Sequence, residues 1–296
     1  MLSGWWRRGR KEDPRRLSEK LCRCRGRLPS SLREALLKLG AGEGARVVLE
    51  CWPRLGPEVR GEIKALAYRE DWVGDWLHML KGGGARERAL AAEVLGLLEV
   101  DRAAAPLLEA LADGDEGVQM AAATALASIR DPRCLEPLAL ALAEPRRIPP
   151  ARVAQVITAF GRQSIPHLVS ALRAGPEEVA LRAVEILGNL GEAGVLPVLG
   201  QCLESPSAAL RAAAARALGD TGLEEAAEYL SSALGDPEPK VRAAAVLALG
   251  RLGRGEARPA LEKAREDPAW EVRVCAEAAL KAVGHLPHGN QHLPAR

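Results

Sequence analysis

Apolar residues late in the chain recur at Val241, Ala244, Ala245, Ala248, Leu249 and Leu252. The spacing i, i+3, i+4, i+7, i+8, i+11 gathers them on one face of a helix. The same segment restarts at a fixed interval: residues 210–222 read LRAAAARALGDTG, 241–253 read VRAAAVLALGRLG and 272–284 read VRVCAEAALKAVG, 31 positions apart. Two markers carry this period independently. Each Ala-rich segment closes on a dipeptide, at Leu95-Gly96, Leu126-Ala127, Phe160-Gly161, Leu187-Gly188, Leu218-Gly219, Leu249-Gly250 and Leu280-Lys281, with intervals of 31, 34, 27, 31, 31 and 31 residues. Pro106, Pro137, Pro166, Pro197 and Pro259 repeat at 31, 29, 31 and twice 31.

Each unit holds two helical patterns. The first opens around the proline, whose missing amide has no intrahelical partner in a first turn. The second follows a turn such as Asp236-Pro237 or Asp267-Pro268, where Asp satisfies free amides and Pro ends the helix before it. A unit this short cannot bury its own apolar face, so neighbours must stack. The expected fold is all-α, a right-handed α-solenoid of stacked antiparallel helix pairs with a period of about 31 residues.

The pattern DP-x-x-x-VR-x-AA-x-x-AL-x-x-LG resembles a HEAT repeat, of the short bacterial kind similar to the HEAT-like repeats of phycobilisome lyase components. The resemblance spans about residues 43–284 and is clearest from 179 onward. It is specific for fold and uninformative on task, since such arrays serve many functions. The expected organisation is a flexible basic Trp/Arg-rich arm over 1–28, a capping helix over 29–42, the solenoid over 43–284 and a disordered tail over 285–296. Ser31 and Glu34 stand at capping-box spacing in the second of these, and Gly40 is its stop.

In arrays of this kind the second helix of each pair usually faces the concave side. Positions 2, 6 and 10 from its first Val oppose the core stripe. They give Met120, Thr124, Thr158, Arg162, Leu181, Glu185, Asn189, Arg216, Asp220, Leu247 and Arg251 as the expected partner-binding residues. Small and apolar side chains mixed with charges of both signs suit a helix or extended peptide, whereas a phosphate backbone favours a continuous basic stripe. The Arg after the opening Val, at Arg60, Arg88, Arg211, Arg242 and Arg273, has a different role in the family it resembles, where it commonly bridges to the Asp of an adjacent turn. That implies a structural ladder of Arg211, Asp236, Arg242, Asp267 and Arg273, interrupted at Gln119, Val153 and Ala180. The 34-residue interval places a bulging loop at Arg146 and Arg147.

Composition refines this picture. Hydrophobic residues make up 48% of the 296, yet only 3% are aromatic, which favours closely packed Ala-rich helices over a sandwich of strands. The formal charge of +2 is unevenly spread: ten Lys/Arg against Glu12, Asp13 and Glu19 give residues 1–28 a net +7, leaving −5 for the rest. A mildly acidic body disfavours nucleic acid as its partner. In the arm, Trp5, Trp6, Arg7, Arg8 and Arg10 have the chemistry to meet an anionic membrane surface or a single-stranded polyanion. A solvated arm and a clasp on the acidic body are the other readings of it. Trp52, Trp72, Trp76 and Trp270 fall near helix-packing positions and are expected in the core or at its edge.

Catalytic and cofactor signals are weak. Cys22 and Cys24 form C-x-C without a second pair at zinc spacing, and His285, His288 and His292 sit in a Pro/Gly/Asn-containing end. HEAT-like deoxyhypusine hydroxylases carry paired His-Glu motifs for iron, and this sequence has no His-Glu pair. Neither a P-loop, G-x-G-x-x-G nor G-x-S-x-G occurs. The six cysteines are expected as buried free thiols in a reducing compartment, and no secretory signal or membrane-length apolar run is visible, so the expected location is cytoplasmic or peripheral at the inner membrane face. The reading is a non-catalytic protein-binding scaffold or adaptor with no cofactor. A lyase-like or chaperone-type helper and an alkylpurine-glycosylase-like nucleic-acid binder remain the alternatives.

Overall fold

The computed structural model describes residues 13–253 and 255–285. Trp5, Trp6, Arg7, Arg8 and Arg10 lie outside the described residues, as does the tail over 286–296. Among the described residues there are 17 α-helices and no strand. Three helices lead the chain: α1 (Pro14–Cys22), α2 (Ser30–Cys51) and α3 (Pro57–Arg69). The first helices of the successive pairs are α4 (Trp72–Gly82), α6 (Ala104–Ala110), α8 (Leu135–Ala141), α10 (Ile165–Ala174), α12 (Leu196–Cys202), α14 (Ala226–Ala233) and α16 (Arg258–Ala264). The second helices are α5 (Ala85–Leu97), α7 (Glu116–Ile129), α9 (Pro150–Ala159), α11 (Glu177–Asn189), α13 (Ala208–Asp220), α15 (Pro239–Leu252) and α17 (Trp270–His285).

Local chemistry sets these boundaries. Proline occupies the first turn of α10, α12, α15 and α16, where no amide is missed. Asp115 and Ser207 cap α7 and α13 by accepting the amides of Val118 and Leu210 at 3.1 and 3.2 Å. Gly253 ends α15 with φ 69°, a left-handed conformation that favours glycine.

The chain divides into two compact units. One holds everything up to Cys134 together with Arg146–Ala159; the other holds Leu135–Pro145 and the chain from Phe160 onward. In the first, α5 packs on α7 and α7 on α9; in the second, α11, α13, α15 and α17 pack in succession. These seams bury Val118, Ala122, Val184, Leu187, Ala214, Leu218, Ala245, Leu249 and Ala276.

The seams explain the glycine that marks the period. A Cβ on Gly96 would lie 2.4 Å from Ala125 Cα, and on Gly188 2.7 Å from Ala217 Cα. On Gly219 and Gly250 it would meet the Ala248 and Ala279 methyls at 2.7 and 2.5 Å. Each contact joins one second helix to the next, so hydrogen is the only side chain that fits the approach. At Leu126-Ala127, where Ala replaces Gly, α9 packs on α7 less extensively than α7 does on α5.

Arginine and aspartate tie the turns. Nε and Nη2 of Arg211 donate to Asp236 at 2.7 and 2.9 Å, those of Arg242 to Asp267 at 2.8 and 2.8 Å, and those of Arg88 to Asp113 at 2.7 and 2.7 Å. Each aspartate also accepts a backbone amide in its own turn, from Asp115, Glu238 or Ala269, at 2.8 Å. The remaining Nη1 of Arg211, Arg242 and Arg273 donates to the carbonyls of Ser205, Asp236 and Asp267 at 2.9, 2.8 and 2.9 Å. Gln119 keeps this backbone half, donating to the Asp113 carbonyl at 2.7 Å. Arg60 turns instead to the Trp52 carbonyl, with its guanidinium 5.4 Å from the indole centroid.

Two expectations for the N-terminal region need correction. Residues 14–22, read as part of a flexible arm, form α1, which packs on α2 with Leu17 and Leu21 fully buried. Those two leucines, one turn apart, supply the apolar stripe that the surrounding charges obscure. The expected capping helix does break at Gly40 (φ 75°), with a second helical stretch of α2 running directly on to Cys51, but its capping box does not form. The helix starts at Ser30, which leaves Ser31 already inside it. Trp72 and Trp76 are buried edge-to-face, centroids 6.0 Å apart, and Trp76 Nε1 donates to the Ala41 carbonyl at 2.9 Å.

Substituting Gly188→Ala should lower unfolding free energy by about 1–3 kcal/mol in urea titration, because the neighbouring backbone must move. Gly42→Ala, in open space on α2, should leave stability unchanged or raise it by about 0.5–1 kcal/mol. A double-mutant cycle on Arg242→Ala and Asp267→Ala should give a coupling of about 1–3 kcal/mol. The arginine forks hold the carboxyls of Asp113, Asp236 and Asp267 below their usual value, against the opposing effect of burial. Their contribution is therefore complete above the unfolded value of about 3.9 and is lost as pH falls through the lower folded values. Asp267→Asn should flatten that acid-side loss in melts recorded between about pH 5 and 2.

Candidate protein-binding surface

The second helices bury one stripe in the seams and leave another open. In the second unit, α11, α13, α15 and α17 line a groove of about 920 Å³. Leu181, Arg216, Leu247 and Arg251, four of the residues expected at partner contacts, line it. Ala212 and Ala243 lie between them, so the groove is floored by methyl groups and rimmed by longer side chains. Leu247 is 40% exposed between the buried Val246 and Ala248, on the open face it shares with Ala243 and Arg251. Arg251 pairs with Asp220 at 3.1 Å, placing that expected contact residue beside the groove.

In the first unit, α2, α5 and α7 line a smaller groove of about 560 Å³. Met120 and Thr124 line it with Leu49, Leu97 and Glu93, and Met120 is 48% exposed. Gln155 on α9 lies 3.5 Å from the Thr124 hydroxyl. Thr158, Arg162, Glu185 and Asn189 are exposed but line neither groove. Arg162 instead faces Glu192 at 3.8 Å. The structure thus gathers part of the expected row into two separate clefts and leaves the rest outside them.

Trp270 was expected in the core or at its edge; it is 66% exposed and lines the larger groove. The reason lies in helix geometry. Side chains lean toward a helix N-terminus, so the first turns of α15 and α17 reach the groove through Glu238, Lys240, Trp270 and Glu271. A count started at the first Val passes over them. The usable signal was an aromatic two residues ahead of Val272, in a first turn with no core stripe to join. Val274, one turn along α17 from Trp270, is also exposed.

Among the described residues no group of three or more His, Cys, Asp or Glu is placed to hold a metal, and no helix is long and apolar enough to cross a membrane. The described cysteines are free thiols, with Cys24, Cys51, Cys134 and Cys202 buried.

Comparison with known proteins bears on the fold. Curated proteins offer no match to this chain. Among solved structures, human deoxyhypusine hydroxylase in complex with glycerol is 21% identical over 93% of this chain and 97% of its own, with a TM-score of 0.38. A designed armadillo repeat protein is 23% identical over 71% of this chain and 99% of its own, TM-score 0.36. Another, in complex with the peptide (KR)4, is 22% identical over the same shares, TM-score 0.37. The family model for HEAT repeats matches residues 75–158, 165–238 and 230–293. It is HEAT repeats at large, not the phycobilisome-lyase subgroup, that are matched. These segments take in α4 to α17 and cover well over half of the sequence, and the chain belongs to the HEAT-repeat family.

Proposed function

We propose that this chain is a non-catalytic protein-binding scaffold or adaptor whose principal contact surface is the groove of the second unit. The observation that carries the reading is the pairing of two exposed apolar anchors, Leu247 and Trp270, with the cations Arg216, Lys240 and Arg251 around an alanine floor. Exposed large apolar groups set in a concavity favour a partner that covers them, and Trp and Arg contribute disproportionately at such contacts. The cleft suits an apolar side chain from an extended peptide or helix, with polar groups of that segment meeting the rim. No bound cofactor is part of this reading.

A second contact surface is favoured by α1. Leu17 and Leu21 are buried, while Arg15, Arg16 and Lys20 are exposed with Glu19 on the same helix and Arg23 is exposed just past its end, so a net basic surface is displayed on a docked element. We extend the proposal to an anionic membrane surface contacted by this helix together with Trp5, Trp6, Arg7, Arg8 and Arg10, which lie outside the described residues, and to a cytoplasmic chain peripheral to the inner leaflet. Nucleic acid is a poorer fit to a body of net −5.

Peptides selected from a displayed random library against the full-length chain provide the test. Trp270→Ala or Leu247→Ala should weaken the selected peptides by about tenfold or more, with the circular-dichroism melt unchanged. Affinity indifferent to both substitutions would refute the groove as the contact surface.

A further inference from the structure

The N-terminal helices hold a pair of thiols that the scaffold reading does not use. Cys51, the last residue of α2, is fully buried. Its thiol lies 3.2 Å from the Ser18 carbonyl and 3.3 Å from the Ser18 hydroxyl. Cys22 stands four residues beyond Ser18 on α1, one turn along the same face, so the Ser18 carbonyl that the Cys51 thiol touches lies on the turn that Cys22 closes. Cys22 is partly exposed, so one thiol of the pair meets solvent and the other does not. The neighbouring Cys24 is turned away, with its thiol on the Arg27 carbonyl at 3.4 Å.

We propose that Cys22 and Cys51 form a reversible disulfide, making the α1–α2 contact a site of oxidation by a low-molecular-weight disulfide. The sulfur of Cys22, the accessible one, attacks one sulfur of the small disulfide and releases the other half as a thiolate. The released thiolate takes up the Cys51 proton as the Cys51 sulfur attacks the Cys22 sulfur of the mixed disulfide, and the expelled second half takes up from solvent the proton that Cys22 lost there. Two protein thiols are oxidised to one disulfide, and one small disulfide is reduced to two thiols. Burial pushes the Cys51 thiol up to about 12, which leaves initiation to the accessible Cys22 and makes the second step depend on how close the mixed disulfide brings its sulfur to Cys51. The product ties the basic helix α1 covalently to α2, closing a loop that contains the Gly40 break. Reduction returns α1 to noncovalent contacts with α2, among them those of Ser18, with Leu17 and Leu21 buried.

The test uses full-length protein incubated with oxidised glutathione, followed by alkylation of the remaining thiols in denaturant and peptide mapping by mass spectrometry. The expected product is a Cys22–Cys51 cross-linked peptide that dithiothreitol reverses. It should be absent in Cys22→Ser, where Cys51 stays alkylatable, and unaffected by Cys24→Ser. Amide exchange along α1 should slow about tenfold or more in the oxidised protein. A stable glutathione adduct on Cys22 with Cys51 still free, a bridge made by Cys24 instead, or unchanged exchange along α1 would each overturn the proposal.

Discussion

Consecutive second helices approach so closely that a glycine on one meets an alanine on the next. Much of the sequence answers to that constraint. With Gly96, Gly188, Gly219 and Gly250 in the seam, the backbone of the following helix sits where a side chain would otherwise be. Neighbouring seam positions must then be small as well, which accounts for the alanine runs in α7, α13 and α15 and for an aromatic content of only 3%. Packing at this density fixes the rotation of each helix about its axis. Fixing that rotation decides which residues face outward, and Leu181, Arg216, Leu247 and Arg251 owe their place in one groove to it.

The ion pairs act on the turns rather than the seams. Asp236 is bound on one side by Arg211 from the preceding repeat and on the other by the Glu238 amide of its own turn. Asp267 does the same for Arg242 and Ala269. Side chains this enclosed, with bidentate geometry and few water contacts, give a more defined interaction than an exposed surface pair. Arg88, Arg211 and Arg242 each commit Nε and one Nη to an aspartate and the other Nη to a backbone carbonyl, so most of their donors are spent within the turns.

The repeat was legible because its two markers answer to strong local physics: proline is tolerated in a helix's first turn, and the seams at Gly96, Gly188, Gly219 and Gly250 admit only glycine. From Leu95 onward the helix pairs follow the sequence pattern closely. The N-terminal region was less legible. α1 carries only Leu17 and Leu21 as a buried stripe among charged neighbours, and its docking depends on a surface of α2 that no local pattern announces. The lining of the two grooves was legible in part. The face opposite the core follows from helical periodicity, so Met120, Thr124, Leu181, Arg216, Leu247 and Arg251 were within reach. Trp270 was not, because its exposure depends on how the first turn of α17 sits beside α15, a tertiary matter. The proximity of Cys22 and Cys51 is likewise a product of folding, with most of α2 between them in sequence.

A HEAT-repeat array of this kind separates what holds it together from what it displays. Seams and turns consume glycines, alanines and the paired arginines, and another stripe of the second helices is left open to solvent. The most direct check places a photo-crosslinking residue at position 247 in one protein and at position 228 in another, each in the full-length chain, in source-cell lysate. Leu247 lines the groove; Glu228 is exposed on the first helix α14 and does not line it. The account predicts a discrete protein adduct from position 247 and none from position 228. Equal labelling from both, or labelling from position 228 alone, would contradict it.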